Sequence, residues 1–213
     1  MARLRLTKED WLGVALSLLE TDGAGTLTID RLTRRLGVTK GSFYHHFSSR
    51  EQLSHDLLEA WEERLTGGLI EASRVGTDFA DRNRRLTEHL AEVFEPRLEV
   101  AIRAWALQDP LVREVLERVD RRRVGYLREL FGLLEPFDRR AEDLALIRYA
   151  FTVGAQQLQP ALAPDHYARL FEVLEGCLED LAGNPSRDPG DPDEDHRRAL
   201  PHQDDRAAQD HDP

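Results

Sequence analysis

Apolar residues recur along this chain with the three-to-four-residue step of an α-helix, and nowhere with the two-residue alternation of a half-buried strand. That pattern restricts the fold to the all-α class, and side chains that satisfy free backbone amides mark where each helix begins. Thr7 with Asp10 forms a capping box ahead of the stripe Trp11, Ala15, Leu18 and Leu19, and Asp22-Gly23 ends that first helix. Two short helices are expected from about Thr28 to Leu36 and from about Thr39 to His46. A longer one should start at a Ser48 cap, with Glu51 at the reciprocal position, and run through Leu53, Leu57, Trp61 and Leu65.

Beyond Gly67-Gly68 and Val75-Gly76 short helices give way to long ones, so a second helical domain is expected over residues 76–182. Asp78 is placed to cap a helix ending near Pro96. Asp109-Pro110 opens another, with Val112, Val115, Leu116, Val119, Leu127, Leu130, Phe131 and Leu134 at helical spacing until Glu135-Pro136. Two last helices carry Leu144, Ile147, Phe151, Gly154, Ala155 and Leu158, and then Tyr167, Leu170, Phe171, Leu174, Cys177, Leu178 and Leu181. Their apolar stripes are wider than one neighbour would cover, and Gly154-Ala155 admits a closely approaching helix, which points to a homodimer. From residue 183 to 213 the chain turns to Asp, Pro, Arg, His and Gln, a composition expected to form a disordered acidic tail.

The chain has 213 residues and 40% hydrophobic content, which suffices for a sizeable core. No run of about eighteen apolar residues occurs, and charges are spread through the first twenty positions, so neither a membrane span nor a signal-peptide core is expected and the cytoplasm is the expected compartment. Cys177, the single cysteine, has no partner for an intramolecular disulfide, and it falls on an apolar stripe as a core residue would. The net charge of -11 argues at first sight against a polyanionic partner, but it is unevenly spread. Residues 1–50 hold eight Lys or Arg against five acids, a net of +3, which leaves -14 for the remainder. A basic head on an acidic body is compatible with nucleic acid.

The stretch Thr28–Phe47, TIDRLTRRLGVTKGSFYHHF, reads as two helices joined by a turn. Gly37 supplies the left-handed residue such a turn favours, Val38 fills the angle, Thr39 caps the second helix, and Phe43 and Phe47 lie four apart on an inward face. A recognition helix enters the major groove by its N-terminal end, where free amides favour phosphate. Lys40, Gly41 and Ser42 occupy that first turn, while Tyr44, His45, Thr28 and Arg50 are placed to donate to the sugar-phosphate backbone. His45 and His46 lack a third ligand nearby, so no metal and no cofactor is expected. Arg121-Arg122-Arg123 sits mid-helix among acids and is read as a solvated face, and Arg3 and Arg5 as part of a frayed terminus.

The run Gly37-Val38-Thr39-Lys40-Gly41-Ser42-Phe43-Tyr44-His45-His46-Phe47, followed by Ser49-Arg50-Glu51 and Leu53, resembles the DNA-binding signature of the TetR (tetracycline repressor) family of transcriptional regulators. The resemblance covers about residues 5–65 and departs at Thr33, where the family usually has a small apolar residue. It implies a three-helix head joined by a fourth helix to a ligand-binding and dimerisation domain. It also implies an Ω-shaped homodimer, acting as a repressor on a pseudo-palindromic double-stranded operator, and a small-molecule effector that pulls the heads out of register. Its DNA contacts would be Thr28, Thr39, Lys40, Gly41, Ser42, Tyr44, His45 and Arg50. His89, Phe94, Arg103, Trp105, Tyr126, Phe151 and Gln156 are the candidates for a ligand pocket between helices. The alternative is a helical ligand-binding or scaffolding protein that no longer binds DNA. An enzyme is not expected, because no HExxH motif, phosphate loop or Cys-His pairing is present.

Overall fold

The computed structural model describes residues 6–93, 95–134 and 138–182. Arg3, Arg5, Phe94, the Glu135-Pro136 break and the tail from 183 lie outside the described residues. Among those described, all regular structure is helical: α1 Lys8–Asp22, α2 Ile29–Leu36, α3 Lys40–His46, α4 Arg50–Glu62, α5 Gly68–Arg74, α6 Phe79–Val93, α7 Pro96–Ala106, α8 Pro110–Phe131, α9 Asp138–Gln157 and α10 Pro164–Ala182.

The caps explain most of these boundaries. Thr7 and Asp10 close a reciprocal box at the start of α1, and Trp11, Ala15, Leu18 and Leu19 are its buried residues. Thr28 accepts from the Arg31 amide, Asp78 from that of Asp81, and Asp109 from those of Leu111 and Val112. The cap of α4, however, is Ser49 rather than Ser48: Ser49 is extended, at φ -158° and ψ 174°, and its hydroxyl accepts from the Gln52 amide at 3.2 Å. Ser48 is exposed in the loop that follows Phe47. Ser49→Ala is therefore expected to lower stability by about 1 kcal/mol, with Ser48→Ala near zero, in paired urea titrations; equal losses would place the cap wrongly.

Gly67-Gly68 does not interrupt the chain. A π-turn over Glu63–Gly67 carries α4 directly into α5, with Leu65 buried within it and Leu69 and Ile70 buried just after it. Burial along this stretch outweighs the poor helix propensity of two glycines. Two apolar clusters result. One joins α1–α4 to Leu98, Ile102 and Ala106 of α7 and to Val112, Val115 and Val119 of α8. The other joins α5 and α6 to the C-terminal half of α8, α9 and Leu178 of α10. Helix α8 thus lies in both cores and packs against both the head and the body. Leu134 and Cys177 are exposed, against their place on apolar stripes: α8 has ended at Phe131, and Cys177 faces away from the neighbours that bury Leu178.

Candidate nucleic-acid interface and the cavity behind it

Phe43 and Phe47 anchor α3 from inside. They are 0% and 1% exposed, and both meet the buried Trp11 ring edge-on, at 5.6 and 6.3 Å between centroids. The turn before α3 is closed by Gly37 at φ 67°, whose amide donates to Arg34 O, and by the Val38 amide donating to Thr33 O. Thr33, the departure from the family pattern, is buried because its hydroxyl donates to Asp30 O at 3.1 Å and so enters the core satisfied.

With that inner face fixed, Thr39, Lys40, Gly41, Tyr44 and His45 are exposed on α3 and Ser42 is half-buried; Thr28 and Arg50 are exposed at the starts of α2 and α4. Thr39 stands at the N-cap of α3, yet its hydroxyl makes no capping bond. Tyr44 is 57% exposed, its ring edge-on to Phe43 at 5.3 Å. Lys40 Nζ lies 2.6 Å from Asp30 Oδ1, which ties the first turn of α3 to that of α2. The hydrogen bond to Asp30 holds the Lys40 ammonium above its ordinary pKa. Lys8, the other lysine, is structural: it reaches Asp56 Oδ2 at 2.8 Å and lies over the Phe47 ring. Burial pushes the Asp56 carboxyl up, but hydrogen bonds from Lys8 and Gln52 outweigh it and hold the pKa below the ordinary value.

Behind the head, a cavity of about 100 Å³ opens among the π-turn, α5, α6, α7, α8, α9 and α10. Of the residues singled out from sequence, Tyr126 and Gln156 line it. Arg103 instead makes a bidentate pair with Asp120, at 2.9 and 3.0 Å, and meets Tyr149. His89 Nδ1 sits 2.8 Å from Arg85 O, Trp105 packs against the head cluster, and Phe151 stands beside the Tyr167 and Phe171 rings. The polar wall of the cavity comes from Glu99, Arg123, Arg148 and Tyr149, which sequence inspection passed over. A signal was present: Arg123 follows Val119 by four positions and precedes Leu127 by four, so it occupies a buried register, as Arg148 does after Leu144. Arg121 and Arg122 of the arginine run are exposed, as expected, and Arg121 lies near Glu117. Arg122 pairs with Glu62, and Arg123 is enclosed.

Arg123 is the centre of a buried network. It donates to both oxygens of Glu99, at 2.8 and 2.9 Å, to Thr66 Oγ1 at 2.8 Å and to Leu65 O at 3.2 Å, and it stacks over the Trp61 ring. Trp61 Nε1 donates to Glu99 Oε1 at 3.0 Å. Burial works against the Arg123 charge, but the Glu99 carboxylate more than compensates and raises its pKa. Tyr149 is pushed up to about 12, chiefly by burial, and stays a neutral donor to Asp120 at 2.6 Å. A wall of the cavity is therefore bonded directly to the end of α4 and to the π-turn. On α4 itself, His55, Asp56 and Glu59 bring ligand atoms within 4.8 Å of one another, but Asp56 already serves Lys8 and Gln52. No described helix is long and apolar enough to cross a membrane.

The model of the bacterial regulatory proteins of the tetR family matches residues 12–57, which span α1 to α4. The nucleoid occlusion factor SlmA of Vibrio campbellii is 30% identical over 93 residues, 42% of this chain and 46% of that protein, so this chain spans about half the length of the curated relative it matches. A transcriptional regulator from Rhodococcus sp. Rha1 superposes with a TM-score of 0.69 at 21% identity, over 84% of this chain and 99% of that one. A Pseudomonas aeruginosa PAO1 protein described as a transcriptional regulator gives 0.65 at 19% identity, over 84% and 95%. At these identities the likeness is one of fold.

Proposed function

For a chain that belongs to the tetR family of bacterial regulatory proteins, we propose sequence-specific binding to double-stranded DNA through α2 and α3, with release when a small molecule enters the cavity behind the head. The observation that carries this is the exposed first turn of α3, rich in donors and held rigid from inside by Phe43 and Phe47. Lys40, Ser42 and Gly41 meet base edges or closely approaching backbone, and Thr28, Thr39, Tyr44, His45 and Arg50 hold the phosphates. The protein works as a homodimer, because Leu146 and Ile147 of α9, Leu158 just beyond it and Val173 of α10 are exposed and a Cβ at Gly154 would meet open space. Two heads then read half-sites about one DNA turn apart, or a small multiple of that. The head occupies residues 5–65 and the ligand and dimer domain 76–182; the protein is a cytoplasmic binder, not an enzyme, and repression is the expected outcome of occupancy.

Fluorescence anisotropy with DNA from the protein's own promoter region tests this. Affinity is expected to fall steeply with salt, whereas a helical binding protein that has left DNA behind would show no specific complex. Sedimentation at micromolar concentration checks the dimer, which a monomer would refute. Gly41→Ala separates the interface from the fold. A Cβ there meets nothing closer than Thr39 Oγ1 at 3.7 Å, an ordinary contact, so the melting temperature should hold or rise slightly. The added methyl would stand between helix and groove, and roughly a tenfold loss of DNA affinity is expected; unchanged affinity would remove Gly41 from the interface.

A further inference from the structure

We propose that the cavity takes a small monoanionic carboxylate with a short apolar chain, received by the guanidinium of Arg148. This rests on the cavity being the effector site and adds the chemical class of the effector. Arg148 is 3% exposed on α9, lines the cavity and lies over the Phe171 ring. Its Nε is 3.1 Å from Glu175 Oε1, but its Nη1 has no hydrogen-bond partner. Glu175 does not make up the difference: Oε2 accepts from Asn83 Nδ2 at 2.8 Å, and Oε1, though close to Arg148, is not aligned for a hydrogen bond. A buried guanidinium with an unserved N–H bears the desolvation cost of that group until an acceptor arrives.

The other charges of the wall are already matched. Glu99 is held by both terminal nitrogens of Arg123, and Glu95 by Arg64. Arg148 has its charge offset by Glu175 but is the lining cation with an N–H donor to spare, and the surface around it is apolar, with Leu69, Leu86, Leu90 and Leu127 among the lining residues. A monoanion matches one such guanidinium, whereas a dianionic phosphate would bring a second charge into apolar walls. Size narrows the class further. A cavity of about 150 Å³ holds one benzene ring, so about 100 Å³ accepts roughly four carbons, the apolar tail of a pentanoate whose carboxylate lies against Arg148.

The test uses the full chain at pH 7 with pentanoate, pentanamide and 1-pentanol, titrated by calorimetry and followed by thermal unfolding. Pentanoate is expected to bind and to raise the melting temperature, with both neutral analogues weaker by at least about tenfold. Arg148→Met should erase that preference. Should that variant fail to fold, Leu90→Trp, which fills the cavity, must abolish pentanoate binding. Neutral analogues that bind as well as pentanoate, pentanoate binding that survives Leu90→Trp, or no binding by any of the three would overturn the proposal. DNA anisotropy with the same compounds keeps the two readings apart. Pentanoate that binds through Arg148 yet leaves DNA bound upholds the carboxylate site and sinks the effector role, whereas DNA release by pentanol and not by pentanoate does the reverse.

Discussion

Glu99→Ala is expected to cost about 3–5 kcal/mol of folding stability, seen as a large fall in the urea midpoint with little change in slope. Glu99 is 5% exposed and is the acceptor for both Arg123 and Trp61, so its removal strands a guanidinium and an indole N–H inside the protein. Arg123 then has Thr66 Oγ1, Leu65 O and the face of the Trp61 ring, none of them charged. Glu99→Gln retains an acceptor for Trp61 while losing the charge, and should fall between wild type and alanine. The informative companion is the double variant Glu99→Leu, Arg123→Met, in which no charge is left unpaired; it is expected to recover most of the loss. A single alanine variant within about 1 kcal/mol of wild type would mean that the network is solvated and does not couple α4 to the cavity.

That network also marks the limit of what could be read from the chain. Thr7 with Asp10, Thr28 and Gly37 were legible because a cap or a left-handed turn is a transaction between residues a few positions apart. The buried set Trp11, Ala15, Leu18 and Leu19 was legible because period alone decides it. The pairing of Arg123 with Glu99 was not, since it joins α8 to α7 and makes burial of a charge possible only in three dimensions. Charge runs default to solvent in sequence, and here the default failed for one arginine of three. Gly67-Gly68 misled for the reverse reason: local propensity says break, while Leu65, Leu69 and Ile70 bury the turn in tertiary contacts that propensity does not contain. The exposed residues of α3 stood out in the sequence because small, polar and basic types, of the kind a DNA surface would need, sit together in the first turns of one short helix. The cavity wall is drawn from seven elements, and no local pattern gathers it.

Lys40→Ala is expected to weaken operator binding by roughly tenfold to a hundredfold, and to reduce the salt slope by about one ion if its partner is a phosphate. The free protein already engages Lys40 with Asp30 at 2.6 Å, and both side chains are 63% exposed. An exposed pair of this kind adds little to stability, so its consequence lies in binding: DNA must draw Lys40 from a carboxylate that itself repels the phosphates. Asp30→Asn removes that repulsion and leaves Lys40 unopposed, and the operator complex should tighten by several-fold at low salt, with sequence preference relaxed because attraction to any phosphate rises equally. In the double variant Asp30→Asn, Lys40→Ala, part of the Asp30 gain should vanish, since it acts partly through Lys40. Tightening undiminished in the double variant would assign the whole effect to removal of the Asp30 charge. Weakening by Asp30→Asn alone would mean that the carboxylate aims Lys40 at its target, and would turn Asp30 from a brake on DNA binding into a positioning residue of the recognition helix.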